Sequence, residues 1–392
     1  MQVHVDVAIV GAGPAGLSLA RSLSGHGLSI ALIERQSRET LADPPEDGRE
    51  IALTHASQRI MARLGHWQHL RGDEIFMLRD AKVLNGHSPF ALRFEAASVG
   101  AAQLGFLVSN QSIRRVAYAA AAQCTDVQWF DQTALSGVHT GPETMDLHLS
   151  DGRALQARLL VAADSRFSET RRLLGVGATM RDFGRTMLLC RMEHDEPHHD
   201  TAWEWFGVGQ TLALLPLAGK RSSVVLTLPQ RLAADMLRMG ETDFNRDIAR
   251  RFEGRLGAMR QLGTRHTYPL VGVYSTRLAG PRWALVGDAA VGMHPVTAHG
   301  FNFGLQSAER LSQHLLPAVQ RGEDPGTLDP LQRYARVHRL ATRPLYCATE
   351  LIAGLYTDDR APARLLREAG LRLAQGALPL RRAVERYLTQ AA

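Results

Sequence analysis

Two short segments hold residue types whose spacing suits phosphate and hydroxyl chemistry. The first is Gly11-Ala12-Gly13-Pro14-Ala15-Gly16, with Glu34 eighteen residues beyond Gly16. Gly11 permits a tight turn, Gly13 lets backbone approach a pyrophosphate, and Gly16 lets a helix pack on a strand. N–H groups at that helix start, Ala15 among them, suit an anion, and Glu34 can accept hydrogen bonds from ribose hydroxyls. The second segment is Gly287-Asp288, then His294-Pro295, then His299-Gly300-Phe301-Asn302. Asp288 at a strand end can bond the hydroxyls of a polyol such as ribityl. The N–H groups of Gly300, Phe301 and Asn302 open a helix and suit a group that turns anionic, as the N1/O2 edge of a flavin does on reduction.

These residues need strand, turn, helix and strand in order. Val5–Val10 is an apolar run before the first glycine, and Ile30–Ile33 is a second run closed by Glu34. Arg38–Arg49, with Pro44-Pro45, reads as a loop, and Ile51–Leu64 has helical spacing. Phe76–Phe94 is strand-like. Val108–Cys124 is a helix capped by Ser109 or Asn110, and Val127–Leu155 holds short strands. Arg158–Ala163 is a buried strand ending at Asp164. Thr186–Leu228 reads as a β-meander and Leu232–Leu256 as helix. Trp283–Val286 is a strand that meets Gly287-Asp288. Asn302–Val319, and most of the chain from Leu328, are helical. The expected fold is α/β: a Rossmann-like dinucleotide-binding domain over 1–72, 100–175 and 275–335, an inserted antiparallel β-sheet substrate domain over 73–99 and 176–274, and a helical region over 336–392.

Composition narrows the class. The 392 residues are 45% hydrophobic and 21% charged, as expected of a soluble globular protein, and the length suggests two or three domains. No apolar run reaches the ~18 residues that span a bilayer. The first strand is interrupted by Asp6 and the glycine turn, unlike a signal peptide, so a cytoplasmic location is expected. Cys124, Cys190 and Cys347 are odd in number and far apart, which argues for reduced thiols. The net charge of +6 is concentrated in Arg360–Ala392, with seven arginines against two glutamates. With helical spacing over Leu365–Leu388, this basic tail is a candidate for peripheral contact with the inner face of the membrane, or for an acidic partner. No nucleic-acid motif is present.

Other polar residues have plainer readings. His299 either tunes a neighbouring flavin or only shapes its loop, and both readings stand. His294 is read as packing and Pro295 as a candidate lining of an oxygen site. His55 is read as packed in its helix. His194, Asp195, His198, His199 and Asp200 cluster around Pro197, but in a turn without the spacing of a zinc site, so no metal is assigned. Trp203 and Trp205 alternate on one strand face and are read as sheet core.

The motifs together resemble the class A flavoprotein monooxygenases of the para-hydroxybenzoate hydroxylase fold. Among these, the chain is similar to the ubiquinone-biosynthesis hydroxylases of the UbiH/UbiF/UbiM type. The resemblance rests on GAGPAG with Glu34, on Gly48-Arg49 leading into Ala52–Ser57, and on Leu64-Gly65 with Trp67. It continues through Val108-Ser109-Asn110, Val161–Ser168 with Arg171, Asp182-Phe183-Gly184 and Gly287–Pro295, and then Glu350–Tyr356 and Arg367–Leu371. It implies FAD held by Gly11, Gly13, Ala15, Gly16, Glu34, Arg35, Arg49, Asn110, Asp288, Gly300, Phe301 and Asn302. It also implies NAD(P)H as electron donor, O2 as oxidant through a flavin hydroperoxide, and a polyprenylated phenol or quinol as substrate. Assembly proteins of ubiquinone biosynthesis are implied as partners.

Two departures stand out. Asp164-Ser165 replaces the family's Asp-Gly, which suggests a different backbone and leaves that segment's part in NAD(P)H handling open. Ala298-His299-Gly300 replaces Gly-Gln-Gly and, with Met293, is similar to the UbiM subgroup, which implies 5-demethoxyubiquinol hydroxylation. Two other functions stay open: hydroxylation of a soluble aromatic in secondary metabolism, and a non-catalytic flavin-binding assembly protein. Trp203-Glu204-Trp205 with Lys82 resembles a motif of flavin-dependent halogenases, but Phe206-Gly207-Val208 departs from the x-Ile-Pro that follows Trp-x-Trp in that motif.

Overall fold

Val7, Ala8 and Ile9 are fully buried because strand β1 (Val3–Val10) lies inside a parallel sheet with helices on its faces. The structure is a computed structural model and describes residues 3–86, 88, 90–207, 209–294, 299–357, 385 and 389. Pro295 and, apart from Glu385 and Thr389, the basic stretch from Arg360 lie outside the described residues. After α1 (Pro14–Leu23), β2 (Ile30–Ile33) returns parallel to β1, with Ile33 opposite Val10. The expected loop after it contains a short helix, α2 (Arg38–Ala42), because the Ser37 hydroxyl accepts the Thr40 N–H as a cap. The helix expected over Ile51–Leu64 divides into β3 (Glu50–Leu53) and α3 (His55–Arg63). Thr54 caps α3 by accepting the Ser57 N–H, so the helix starts there.

Strands β4 (Phe76–Leu78), β5 (Asp80–Asn85), β6 (Ala91–Glu95) and β7 (Gly105–Ser109) precede α4 (Asn110–Ala121), which Ser109 caps. Then come β8 (Val127–Phe130), β9 (Leu135–Thr140), β10 (Met145–Leu149), β11 (Ala154–Ala162) and α5 (Glu169–Leu173). β11 runs parallel to β1 on the side away from β2.

The next strands are β12 (Ala178–His194), β13 (Thr201–Phe206), β14 (Thr211–Pro216) and β15 (Arg221–Pro229). They are not a four-strand meander in chain order. β12 pairs with β15, and β13 pairs in parallel with β5. The helix expected over Leu232–Leu256 breaks at Met239-Gly240 into α6 (Gln230–Arg238) and α7 (Glu241–Arg251). The seventeen-residue β16 (Met259–Ser275) follows, then β17 (Ala279–Gly280), β18 (Trp283–Leu285), β19 (Val291–Gly292), α8 (Gly300–Gln320) and α9 (Leu328–Thr357).

One sheet runs β17-β18-β11-β1-β2-β8, with β9 and β10 joined through β11. The second runs β19-β16-β12-β15-β14-β13-β5-β6. One face of the second sheet presents Trp203, Trp205, Leu214, Val224, Leu226 and Leu188 to Phe244, Ile248 and Phe252 around α7. Among the described residues, no helix is long and apolar enough to cross a membrane.

An ion pair joins β12 to β3. Both the Nε and an Nη of Arg191 donate to Glu50 Oε1, at 3.0 and 2.6 Å, and the Glu50 side chain is fully buried. Burial drives the Glu50 carboxyl above its usual range, and Arg191 opposes the rise. Arg191→Ala is expected to cost about 2–3 kcal/mol, below the ~3–5 kcal/mol of fully buried pairs because the guanidinium is partly solvated. A carboxyl raised on folding favours the native state at low pH and costs stability as pH climbs through its native value. Urea unfolding should therefore show a larger loss for this variant at about pH 8 than at about pH 5. Equal losses would contradict the assignment.

Candidate flavin site between two helix N-termini

The first glycine turn is set by contacts too close for any side chain. The Gly11 N–H donates to Ile33 O at 2.8 Å, and the residue sits at φ +107°. A Cβ there would lie 2.6 Å from Ala163 O, and one on Gly16 would lie 1.9 Å from Gly11 O. Both glycines therefore press α1 onto the β1–β11 edge. Gly13 differs. It holds ordinary extended backbone, and a Cβ on it would meet no atom within 4 Å. Pro14 has no N–H to offer, so the N–H groups of Ala15 and Gly16 start the helix without intrahelical partners. The space above Gly13 is open and faces the positive end of α1.

Glu34 stands beside this turn. Its Oε2 accepts the Ala12 N–H at 2.7 Å and its Oε1 accepts the Gln36 N–H at 2.9 Å. The carboxylate thus props the turn and keeps lone pairs for further donors. Arg35 points into solvent and pairs with Glu169, an exposed contact of little energetic weight.

Arg49 and Asn110 meet at Asp47, a residue that no spacing pattern in the sequence singles out. Arg49 Nη2 and Asn110 Nδ2 donate to the same Asp47 oxygen at 2.6 and 2.7 Å. Tyr268 of β16 donates to Asp47 O at 2.8 Å, and its ring lies under the Arg49 guanidinium at 5.3 Å. Burial raises the Asp47 carboxyl, but the bonds from Arg49 and Asn110 outweigh it and hold the group below its usual range. Asp47-Gly48-Arg49 is a turn sequence, so only its neighbours in space reveal this node.

The second segment forms a 3₁₀ turn, Gly287–Ala289, straight after β18. Gly287 has φ +62°, its N–H donates to Ser307 Oγ at 2.8 Å, and a Cβ on it would come within 3.0 Å of the Ala15 methyl. A Cβ on Gly304 would sit 3.5 Å from Gly287 Cα. The turn therefore wedges between α1 and α8 and brings their starts together. Asp288 is half-exposed and accepts Arg166 Nη2 at 2.9 Å. At the start of α8, a Cβ on Gly300 would meet nothing within 4 Å. Asn302 is buried: its Oδ1 accepts the Thr54 N–H at 3.1 Å, and its Nδ2 donates to Ala52 O at 2.8 Å. Phe301 packs on the apolar cluster of Leu53, Ile60 and Val108. These two side chains fasten α8, and their backbone N–H groups are what faces the open space.

The histidines divide by environment. His294 is buried edge-on to Phe183, 4.6 Å between centroids, and burial plus Arg181 pull its imidazole down to about 4. It is neutral at physiological pH and packed. His299 is the residue before α8, with its ring 5.9 Å from that of Phe303. His55 bonds Gln103 O at 3.0 Å. In the His194–Asp200 turn, His194 meets Glu196 O and Ser222 Oγ, while His198 meets Leu217 O and the Asp200 N–H. The ring nitrogens of both are taken by the chain itself. Among the described residues, no group of three histidines, cysteines or carboxylates could hold a metal. Cys124 and Cys190 are buried and Cys347 is exposed, all as free thiols.

Ser165 needs no unusual backbone. It is absent from the residues with positive φ, its hydroxyl accepts the Phe167 N–H at 3.1 Å, and its carbonyl accepts the Ser168 N–H. Lys82 lies on the Trp203 face of the second sheet, with its ammonium 3.6 Å from the indole centroid.

This layout, two helix starts packed on one glycine turn beside a strand-end carboxylate, suits a dinucleotide such as FAD. A model of the FAD-binding domain family matches residues 4–342, and the chain belongs to that family as an FAD-dependent monooxygenase of the ubiquinone-biosynthesis hydroxylase group. It is 46% identical over 393 residues to ubiquinone hydroxylase UbiM of Neisseria meningitidis serogroup C, covering 99% of this chain and 85% of that protein. It is 26% identical to the 3-demethoxyubiquinol 3-hydroxylase of Escherichia coli K12, over 97% of each chain. The crystal structure of PqsL from Pseudomonas aeruginosa with 2-aminobenzoylacetate shares the fold, with a TM-score of 0.80 at 21% identity, covering 94% of this chain and 99% of that one.

The two kinds of glycine separate experimentally. Gly16→Ala should destabilise the fold by about 3 kcal/mol, because backbone has to move. Gly13→Val should keep the wild-type melting temperature of the flavin-free protein while weakening FAD at least about tenfold, or ~1.4 kcal/mol. Thermal melts with flavin absorbance check both. A Gly13→Val protein that retains full flavin would place the cofactor elsewhere.

Proposed function

We propose that this chain hydroxylates the aromatic ring of a demethoxyubiquinol-type quinol, at position 5 of 5-demethoxyubiquinol, with NAD(P)H as electron donor. The observation that carries the reading is a pair of helix starts, one open beside Gly13 and one open beside Gly300, both packed on the Gly287 turn. In this reading the N–H groups of Gly13, Ala15 and Gly16 take the FAD pyrophosphate over the Gly11 turn. Glu34, with Arg35 beside it, takes the adenosine ribose. Asp47, Arg49 and Asn110 flank the phosphates, and Asp288 bonds the ribityl chain. The N–H groups of Gly300, Phe301 and Asn302 stabilise the pyrimidine edge as charge develops. Bound FAD, once reduced, supplies one oxygen atom of O2 to an electron-rich ring.

The protein's own share is placement and dryness. It has no need of a strong base, because a quinol ring is already electron-rich. Relatives named for ubiquinone and demethoxyubiquinol hydroxylation support the substrate class. The basic stretch Arg360–Ala392 supports a peripheral approach to the membrane that holds a polyprenylated substrate, and contact with assembly proteins there. Deleting the gene should make demethoxyubiquinone accumulate, measured by quinone mass spectrometry. An unchanged quinone profile would remove this substrate.

A further inference from the structure

Trp203-Glu204-Trp205 puts one carboxyl on the opposite face of β13 from the two indoles. The indoles go into the core under α7, with ring centroids 6.2 and 6.4 Å from that of Phe252. Strand register fixes the company of Glu204. It lies opposite Val83 on one side and Ala213 on the other, and the same row runs on through Val225 and Leu189 to His266. The row on one side holds Ala81, Ala202, Leu215, Ser223 and Arg191, and the row on the other holds Asn85, Phe206, Thr211, Thr227, Met187 and Tyr268. Glu204 is the one carboxyl in these three rows. Its cross-strand neighbours are Val83 and Ala213, and Ala202 and Phe206 flank it along the strand, so the surface around the carboxyl is apolar.

This face looks toward the flavin side of the molecule. Arg191 reaches Glu50, Tyr268 reaches Asp47 O, and the His266 ring lies where a Cβ on Gly48 would come within 2.5 Å. The cations on the face are already engaged: Arg191 with Glu50 and Glu46, and Arg185 with Gly209 O. His266 bonds Thr264. Glu204 is half-buried and has no hydrogen-bond or charge partner among the described residues. A carboxyl on an apolar face without a partner is costly unless a ligand completes it.

We propose that Glu204 is the protein's contact for a ring hydroxyl of the substrate, its carboxyl hydrogen-bonding the phenol or quinol oxygen while the apolar row holds the ring face. The assignment rests on the quinol reading above. Burial raises the Glu204 carboxyl to about 8, so near neutrality the group can both donate and accept.

The test uses full-length holoenzyme and two probes: a demethoxyubiquinol carrying one isoprene unit, and the same molecule with its ring hydroxyls methylated. Binding is measured anaerobically by calorimetry for wild type, Glu204→Gln and Glu204→Leu. Wild type should prefer the hydroxylated probe at least about tenfold, and Glu204→Gln should keep most of that preference. Glu204→Leu should bind both probes alike, with flavin content and melting temperature unchanged. If Glu204→Leu retains the wild-type preference, Glu204 is not the contact, although the quinol reading survives. If wild type binds neither probe, the quinol reading fails and takes this assignment with it.

Discussion

The rest of the site depends on one backbone contact. Gly16 sits so close to the Gly11 carbonyl that no side chain fits between them. That approach seats α1 on the end of β1 and fixes where its free N–H groups point. Gly287 repeats the device on the other side, held by Ser307 and pressed on Ala15. Two helix starts are thereby packed on one turn, while Gly13 and Gly300 each leave open space beside them. An anionic cofactor needs little else from side chains, because preorganised N–H groups have no reorganisation cost on binding.

The second sheet divides its labour between faces. One face is filled with indoles, leucines and valines under α6 and α7, and it supplies the stability that holds a wide sheet together. The other is apolar but half-open, and it turns toward the flavin side. Arg191 with Glu50, and Tyr268 with Asp47, tie that face to β3 and the loop before it. A ring placed between the sheets would meet fixed geometry on both sides, which is what oxygen transfer without a strong base requires.

Much of this was legible in the residues themselves. The glycine turn, Glu34, the strand before Asp288 and the start of α8 follow from spacing, because each is a local demand of backbone on residue type. The errors came where tertiary context outweighed local pattern. Ile51–Leu64 reads as helix, yet pairing with β7 draws Glu50–Leu53 into a strand and Thr54 starts the helix late. β16 escaped notice because its first half, from Arg260 to His266, is polar and exposed in patches, so no alternation shows. The order of β12 to β15 cannot be read from the chain, since β13 pairs with β5, more than a hundred residues away. Asp47 was missed for the same reason: it is marked only by its surroundings.

The convergence of the two helix starts can be tested by amide hydrogen exchange on the purified protein, with and without FAD. One ligand spanning both should slow exchange together at Gly13–Gly16 and at Gly300–Asn302, and leave α7 unchanged. Protection confined to one of the two segments, or to neither, would contradict the account.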